Sequence, residues 1–184
     1  MCNKVSKCIG ILYRLKHFPR NILLMIYNAI ISPHLNYCNI VWANFRNYSM
    51  MRLFLLQKKA VRIVFHANYL AHSKPIFTEL KLLNIFDMND FNIAVFMFLV
   101  FNKIIPSSLS KIFKFNTDFY LYNMRKPLDF HLPFERTNVG INSIFFKGPK
   151  IWNEIPDEIK LSVSLNTFKR LYKKNLLRII HVIL

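Results

Sequence analysis

Basic side chains gather on one face of a helix predicted over residues 49–66, and their type and spacing suit the binding of phosphate groups. Because successive residues turn by about 100° around a helix axis, these positions fall within about a quarter turn of one another. They are Arg52, Lys59, Arg62 and His66, with Lys58 beside them and Leu55 among them. The opposite side carries Leu53, Leu56, Ala60, Ile63 and Val64. One face of the helix is therefore predicted to pack, and the other to lie along a phosphate backbone.

A second predicted helix, over residues 165–181, repeats this arrangement. Its apolar seam consists of Leu165, Phe168, Tyr172, Leu176, Ile179 and Ile183. Its basic residues include Lys169, Arg170, Lys173 and Lys174. Neither helix contains an acidic residue, so no ion pairs between successive turns balance the bases. The basic face of a single helix is more often simply exposed to solvent. Two such helices in one chain favour polyanion binding.

The charge of the whole chain agrees with this interpretation. Its 26 Lys and Arg residues against 9 Asp and Glu residues give a net charge of +17. The first acidic residue is Glu79, so every charged residue among the preceding 78 is a Lys or an Arg. Acids and bases balance between residues 79 and 158, and residues 159–184 again carry only bases. Such a distribution predicts an anionic partner, which is a nucleic acid, an acidic protein or an anionic membrane surface.

Motifs for catalysis or metal binding are not found. No glycine-rich phosphate loop, nucleophile elbow or zinc-protease string occurs in the sequence. His34 and Cys38 stand four residues apart on a predicted helix, but two ligands do not complete a zinc site, and core packing is the preferred interpretation. Asp87 and Asp90 suit the start of a helix. We therefore predict no catalytic residue, no metal site and no enzymatic activity for this chain alone.

Cysteine content and hydropathy bear on the compartment. The three cysteines form no CxxC pair, which favours a reducing, intracellular compartment, either nucleus or cytoplasm. The longest apolar run, residues 93–101, is well short of the roughly 20 residues that span a membrane, so no transmembrane segment is predicted.

The sequence predicts a mainly helical fold with a smaller α+β part at the C-terminal end. The predicted helices cover residues 3–16, 19–31, 33–42, 49–66, 73–83 and 88–104, then a short one near Trp152 and the last over 165–181. Short strands are expected around 128–132 and 142–147, before a turn at Gly148-Pro149. The predicted regions are a basic helical region 1–66, its helical continuation 67–106, a linker 107–118 and a small α+β region 119–184.

Seven short strings, in order, resemble the C-terminal part of non-LTR (LINE-type) retrotransposon reverse transcriptases, particularly the jockey-like group. They are KVSKCIGILYRLK at 4–16, LLMIYNAIISPHLNYCNIVW at 23–42, LQKKAVRIV at 56–64, AHSKPIFTELKLLNIFD at 71–87, YLYNMR at 120–125, RTNVGINSIFFKGPKIWNEIP at 136–156 and FKRLYKKNLL at 168–177. Ala43, Ser73 and Met124 stand where other residues are common in the family. Singly each string is weak, and the order of all seven carries the resemblance.

The resemblance implies a non-catalytic fragment of an RNA-directed DNA polymerase. In the family, the palm domain holds two Mg²⁺ ions on a Tyr-Ala-Asp-Asp box, and no such box occurs in this sequence. Residues 1–66 resemble the thumb, which grips the primer–template duplex, and residues 67–184 resemble the segment that follows it. The implied partners are RNA and DNA, as primer–template duplex and element RNA, and the missing palm domain; the chain itself is expected to need no cofactor.

The sequence also predicts individual contact residues and leaves two alternative functions open. The candidate nucleic-acid contacts are Arg14, Lys16, Arg20, Arg52, Lys58, Lys59, Arg62, Lys169, Arg170, Lys173 and Lys174. Trp42 and Trp152 can stack on bases or fill a core, and core packing is favoured. The alternatives to nucleic-acid binding are attachment to an anionic membrane surface and a translated transposon relic without function.

Overall fold

Helices form most of the chain, as the spacing of apolar residues predicts. A computed structural model describes residues 1–43, 48–118, 126 and 128–182. The α-helices are α1 (Cys2–Arg14), α2 (Arg20–Ile26), α3 (Ser32–Asn36), α4 (Asn39–Trp42), α5 (Tyr48–Val64), α6 (Ser73–Glu79), α7 (Ile85–Phe101), α8 (Ser107–Ser110), α9 (Asn138–Ile141), α10 (Ile144–Glu154), α11 (Asp157–Lys160) and α12 (Leu165–Val182). A π-helical turn, Tyr27–Ile31, follows α2, and a 3₁₀ turn spans Asn116–Asp118.

The chain divides into two compact units between Asn89 and Asp90, within α7. Unit 1 comprises residues 1–89 with the end of α12 from residue 179, and unit 2 comprises residues 90–178. The four regions predicted from the sequence stay a prediction. None of the described helices combines the length and the apolarity needed to cross a bilayer.

In unit 1, α1 packs against α5 through one apolar stripe on each helix. The stripe of α1 is fully buried and consists of Val5, Ile9 and Leu12, spaced by about one helical turn. On α5 the buried apolar residues include Met50, Leu53, Ala60, Val61 and Val64. This pairing turns the basic side of α5 outward, as the helical periodicity predicts. The predicted packing side is wrong at Leu56 and Ile63, which are only half-buried, because Gln57 and Val61 complete the buried face instead.

The single helix predicted over residues 33–42 is wrong, because the chain leaves the helix between Tyr37 and Cys38. Cys38 adopts a left-handed conformation with φ of 48° and is exposed, so its predicted burial in the core is also wrong. The amide Nδ2 of Asn39 donates to the carbonyl of Leu35 across 3.0 Å, replacing the backbone donor that a continuous helix would supply. Asn89 donates in turn to Asn39 Oδ1 across 3.0 Å, so both buried amides have partners.

Unit 2 is built around aromatic rings. Phe98 stacks on Phe168 at 4.5 Å between centroids, and Phe115 stacks on Phe130 at the same distance. Trp152 is fully buried beside them, and its Nε1 donates to the carbonyl of Leu128 across 3.0 Å. The expected core role of this tryptophan is confirmed.

The strands predicted in the C-terminal part are wrong, since the described residues of this part form no β-strand. Near 128–132 there is one isolated antiparallel bridge, between Phe115 and Phe130. On the other side of Phe130, the amide of Asn153 accepts from the backbone N–H across 3.0 Å and donates to the backbone carbonyl across 2.9 Å. A side chain thus satisfies the backbone groups that a neighbouring strand would have paired.

Residues 142–147 were predicted as a second strand, but they lead into and begin helix α10. The expected turn at Gly148-Pro149 also lies inside this helix, where both residues are buried. A Cβ on Gly148 would come within 2.7 Å of the sulfur of Met97, so the absent side chain allows α10 to approach α7 closely. This packing overrides the β propensity of the aromatic residues before it.

Side-chain caps mark the starts of α7 and α12. The hydroxyl of Ser164 accepts from the Thr167 N–H across 3.2 Å, which confirms the predicted start of α12. At the start of α7 the cap is Asn84, whose Oδ1 accepts from the N–H groups of Phe86 and Asp87 across 2.9 and 3.1 Å. Asp87 lies in the first turn, where its charge suits the helix dipole.

Candidate functional site

A groove lies between α1 and α5 in unit 1, and we call it the α1–α5 groove. It has two hollows. The first, of about 390 Å³, is lined by Cys2, Asn3, Ser6, Arg52, Leu55, Leu56, Lys59, Arg62 and Tyr69. The second, of about 430 Å³, is lined by Tyr13, Lys16, His17, Arg62, Ile63, His66 and Ala67. The start of α1 borders the first hollow and its end borders the second, so the groove follows the length of both helices.

Arg62 is the residue that the two hollows share. Its side chain is half-buried, and its Nε donates a hydrogen bond to the carbonyl oxygen of Ala71 across 2.8 Å. This contact uses one of the five N–H donors of the guanidinium and fixes the direction of its plane. A guanidinium held in this way presents a directed set of donors to an anion.

The chain after α5 turns back to supply that carbonyl. His66 adopts a left-handed conformation with φ of 55°, and the Ala67 N–H donates to the Arg62 carbonyl across 3.0 Å. The His66 N–H donates to the Ile63 carbonyl across 3.1 Å, which completes a Schellman-type helix end. A following turn, closed by the Ala71 N–H on the Asn68 carbonyl, places Ala71 beside Arg62. The basic face and the 66–71 turn are therefore one local structure.

Four of the sequence-predicted contact residues come together in this groove. Arg52, Lys59 and Arg62 line the first hollow, and Lys16 joins Arg62 in the second. His17 and His66 add two imidazoles to the second hollow. Among the described residues that line the groove there is no carboxylate, so its ionisable side chains are bases, phenols and a thiol. Such a lining is suited to anions.

Three predicted contact residues in the same unit do not line the groove. Arg14 is exposed in the last turn of α1. Arg20 pairs with Glu79 across 2.7 Å, and its guanidinium lies 3.9 Å from the centre of the Phe65 ring. The ammonium of Lys58 lies 4.2 Å from the centre of the Phe54 ring. Arg20 and Lys58 therefore lie over aromatic rings that do not line the groove.

The remaining candidates lie on α12 in unit 2. Arg170 and Lys174 are exposed, while Lys169 and Lys173 are half-buried. The predicted apolar seam is buried at Phe168 and Tyr172, which stack at 5.7 Å between ring centres. The side chains of Ile179 and Ile183, and the YLYNMR string with Met124, lie outside the described residues.

Helix α5 is anchored from beneath the groove by a buried polar pair. The Nε2 of Gln57 donates to the hydroxyl oxygen of Tyr27 across 3.1 Å and to the carbonyl of Leu83 across 3.0 Å. Burial raises the pKa of the Tyr27 phenol to about 12, and the hydrogen bond from Gln57 opposes part of that rise. The ring therefore stays neutral over the physiological range, and α5 is held without a buried charge.

Sequence reasoning did not identify the aromatic members of the groove. One feature of the sequence could have identified Tyr13. It precedes Lys16 by three residues, so the two side chains are neighbours on the helix predicted over residues 3–16. The ammonium of Lys16 lies 4.9 Å from the centre of that ring. Tyr69 has no comparable signal, since its position depends on the 66–71 turn.

The other positions considered for chemistry stay apart. Trp42 is half-buried, and its Nε1 donates to the carbonyl of Tyr37 across 2.7 Å. Across the described part of the chain, no three His, Cys, Asp or Glu side chains are grouped so that they could hold a metal ion.

Neither a family model, nor a curated protein, nor a solved structure matches this chain.

Proposed function

We propose that this chain binds the phosphate backbone of nucleic acid along the α1–α5 groove. The observation that carries the proposal is the convergence of Arg52, Lys59, Arg62 and Lys16 on one groove whose described lining has no carboxylate. Helical periodicity alone places the first three on one face. The packing of α1 on α5 adds Lys16 from the turn that follows α1.

Backbone binding of this kind is governed by charge. Each cation that neutralises a phosphate releases condensed counterions, so affinity falls steeply as the salt concentration rises. Contacts to phosphate position a protein on the nucleic acid and carry little sequence information. The proposed activity is therefore binding with strong salt dependence and weak sequence preference.

The ordered sequence strings extend the proposal to a class of protein. We propose that the chain is the thumb and post-thumb part of a non-LTR retrotransposon reverse transcriptase, with the palm domain as a further partner. Lys59 and Arg62 fall within the LQKKAVRIV string at 56–64, so the groove and the resemblance concern the same residues. The nucleotidyl transfer and its Mg²⁺ ions would belong to the palm.

The test is titration of a fluorescent primer–template duplex with the full chain at several salt concentrations. Lys59→Gln removes one exposed charge from the groove, and the matched control Lys74→Gln removes one exposed charge from α6, outside it. Lys59→Gln is expected to weaken binding severalfold and to lower the slope of log affinity against log salt by about 0.9. Lys74→Gln should leave both close to those of the unchanged chain.

Two results would contradict the proposal. The first is no binding of nucleic acid, either duplex or single strand, at low salt. The second is an equal effect of the two substitutions, because that would show a diffuse response to net charge rather than a groove.

A further inference from the structure

Each hollow of the α1–α5 groove places an exposed tyrosine beside its cations. Tyr69 is 71% exposed and lines the first hollow with Arg52 and Lys59. Tyr13 is 56% exposed and lines the second hollow with Lys16. Much of the apolar surface of these two rings is exposed to water. In unit 2, by contrast, many aromatic rings are buried in the core.

Each ring belongs to a local segment that also holds a cation of its hollow in place. The Lys16 ammonium lies over the Tyr13 ring at 4.9 Å from its centre. Tyr69 belongs to the 66–71 turn, whose Ala71 carbonyl accepts the hydrogen bond from Arg62. Each hollow therefore contains one tyrosine ring and at least one cation.

Exposed rings of this kind distinguish single strands from duplexes. In a duplex the base faces are covered by neighbouring base pairs, so a protein can reach the backbone and the base edges. An unpaired base offers its face, and stacking of bases on aromatic side chains along a basic groove is the usual way to bind single strands. Cations alone would suffice for the backbone of a duplex.

We infer that the α1–α5 groove binds single-stranded nucleic acid in preference to duplex, with unpaired bases stacked on Tyr13 and Tyr69. The inference rests on the proposed function, which supplies the phosphate contacts. It adds the class of ligand and the two residues that select it. Because every base has a face to stack, the preference is for strandedness and not for sequence.

The test compares a fluorescent single strand of about 12 nucleotides, within the site sizes of single-strand-binding folds, with the same strand annealed to its complement. Tyr69→Leu and Tyr13→Leu remove the rings, while Tyr69→Phe and Tyr13→Phe keep them without the hydroxyl. Tyr37→Leu is the matched control, since Tyr37 is 73% exposed in unit 1 and does not line either hollow. Thermal unfolding of each variant verifies that it folds.

The single strand should bind more tightly than the duplex. Each Leu variant should weaken single-strand binding about fivefold to tenfold and leave duplex binding and the salt slope unchanged. The Phe variants and Tyr37→Leu should bind as the unchanged chain does. Phe variants that bind as weakly as the Leu variants would overturn the stacking role.

The outcomes separate this inference from the proposed function. If Lys59→Gln weakens binding while both Leu variants leave the single strand unaffected, the inference fails and the proposed function stands. Leu variants that weaken both ligands equally would also overturn the preference for single strands. If neither ligand binds at low salt, the proposed function and the inference fail together.

Discussion

The Nε of Arg62 donates a hydrogen bond to the carbonyl oxygen of Ala71 across 2.8 Å, and this contact ties the basic face of α5 to the turn that follows the helix. The turn also carries Tyr69, which lines the same hollow as Arg62. The Arg62 guanidinium, the Tyr69 ring and the end of α5 are thus part of one local structure at the centre of the α1–α5 groove. The contact spans only nine residues, so it forms within one local segment.

Arg62→Lys keeps the positive charge but removes the planar fork that reaches Ala71. We expect the free energy of unfolding to fall by about 1 kcal/mol, because the half-buried carbonyl loses its donor. Urea denaturation measures this loss, with Lys74→Gln as the control for a surface change. An unchanged free energy of unfolding would show that the hydrogen bond does not stabilise the turn.

Alkaline pH should destabilise the chain through Tyr27. Its pKa is raised from 10.0 to about 12 in the folded protein, so the unfolded chain loses the phenolic proton first. The stabilisation is fully present below pH 10 and is lost progressively as the pH rises from 10 to about 12.

The comparison for Tyr27 is Tyr27→Phe, which has no proton to lose. Lysine titration affects both proteins alike, so the difference between their urea denaturation curves isolates the phenol. The unchanged chain should lose stability relative to Tyr27→Phe as pH rises through this window. A constant difference across the window would contradict the raised pKa.

Lys160→Met should be among the most destabilising single changes in unit 2. Lys160 is 1% exposed, and its Nζ pairs with Asp129 across 2.8 Å and with Asp157 across 3.0 Å. Removal of the ammonium leaves the Asp129 carboxylate buried without its cation, which costs about 3–5 kcal/mol.

Asp157→Asn is the matched control for Lys160→Met. The Asp157 side chain is 59% exposed, so water already screens its pairing with Lys160. The control should lower the free energy of unfolding by about 1 kcal/mol or less. Equal losses from the two substitutions would mean that the buried pair contributes no more than the exposed one.

Most of the longer helices and the outward basic side of α5 could be predicted from the sequence, because both depend on local periodicity. The apolar stripe of Val5, Ile9 and Leu12 and the basic side of α5 follow from spacing alone. The expected core role of Trp152 is also confirmed.

The strands could not be excluded from the sequence, because the competing interactions are distant in the chain. Asn153 pairs with the backbone of Phe130 from 23 residues away, and the approach of Gly148 to Met97 favours helix over strand. The Asn39–Asn89 pair, which accompanies the break after α3, spans 50 residues. In each case a tertiary contact outweighs the local propensity.

For the candidate site, the sequence identified the cations of α5 and Lys16 but not the tyrosines beside them. From the sequence alone, Lys16 and Arg20 are equally good candidates for phosphate contact. The structure distinguishes them, because Arg20 pairs with Glu79 while Lys16 lines the groove. Tyr69 could not be foreseen, since its place depends on the left-handed conformation of His66. Whether any of these residues contacts nucleic acid stays a prediction.

The most direct measurement of the central claim is lysine acetylation of the full chain, analysed by mass spectrometry with and without bound nucleic acid at low salt. We expect nucleic acid to protect Lys16 and Lys59 and to leave the labelling of Lys74 unchanged. Equal protection of all three lysines, or protection confined to Lys169, Lys173 and Lys174 of α12, would contradict binding in the α1–α5 groove.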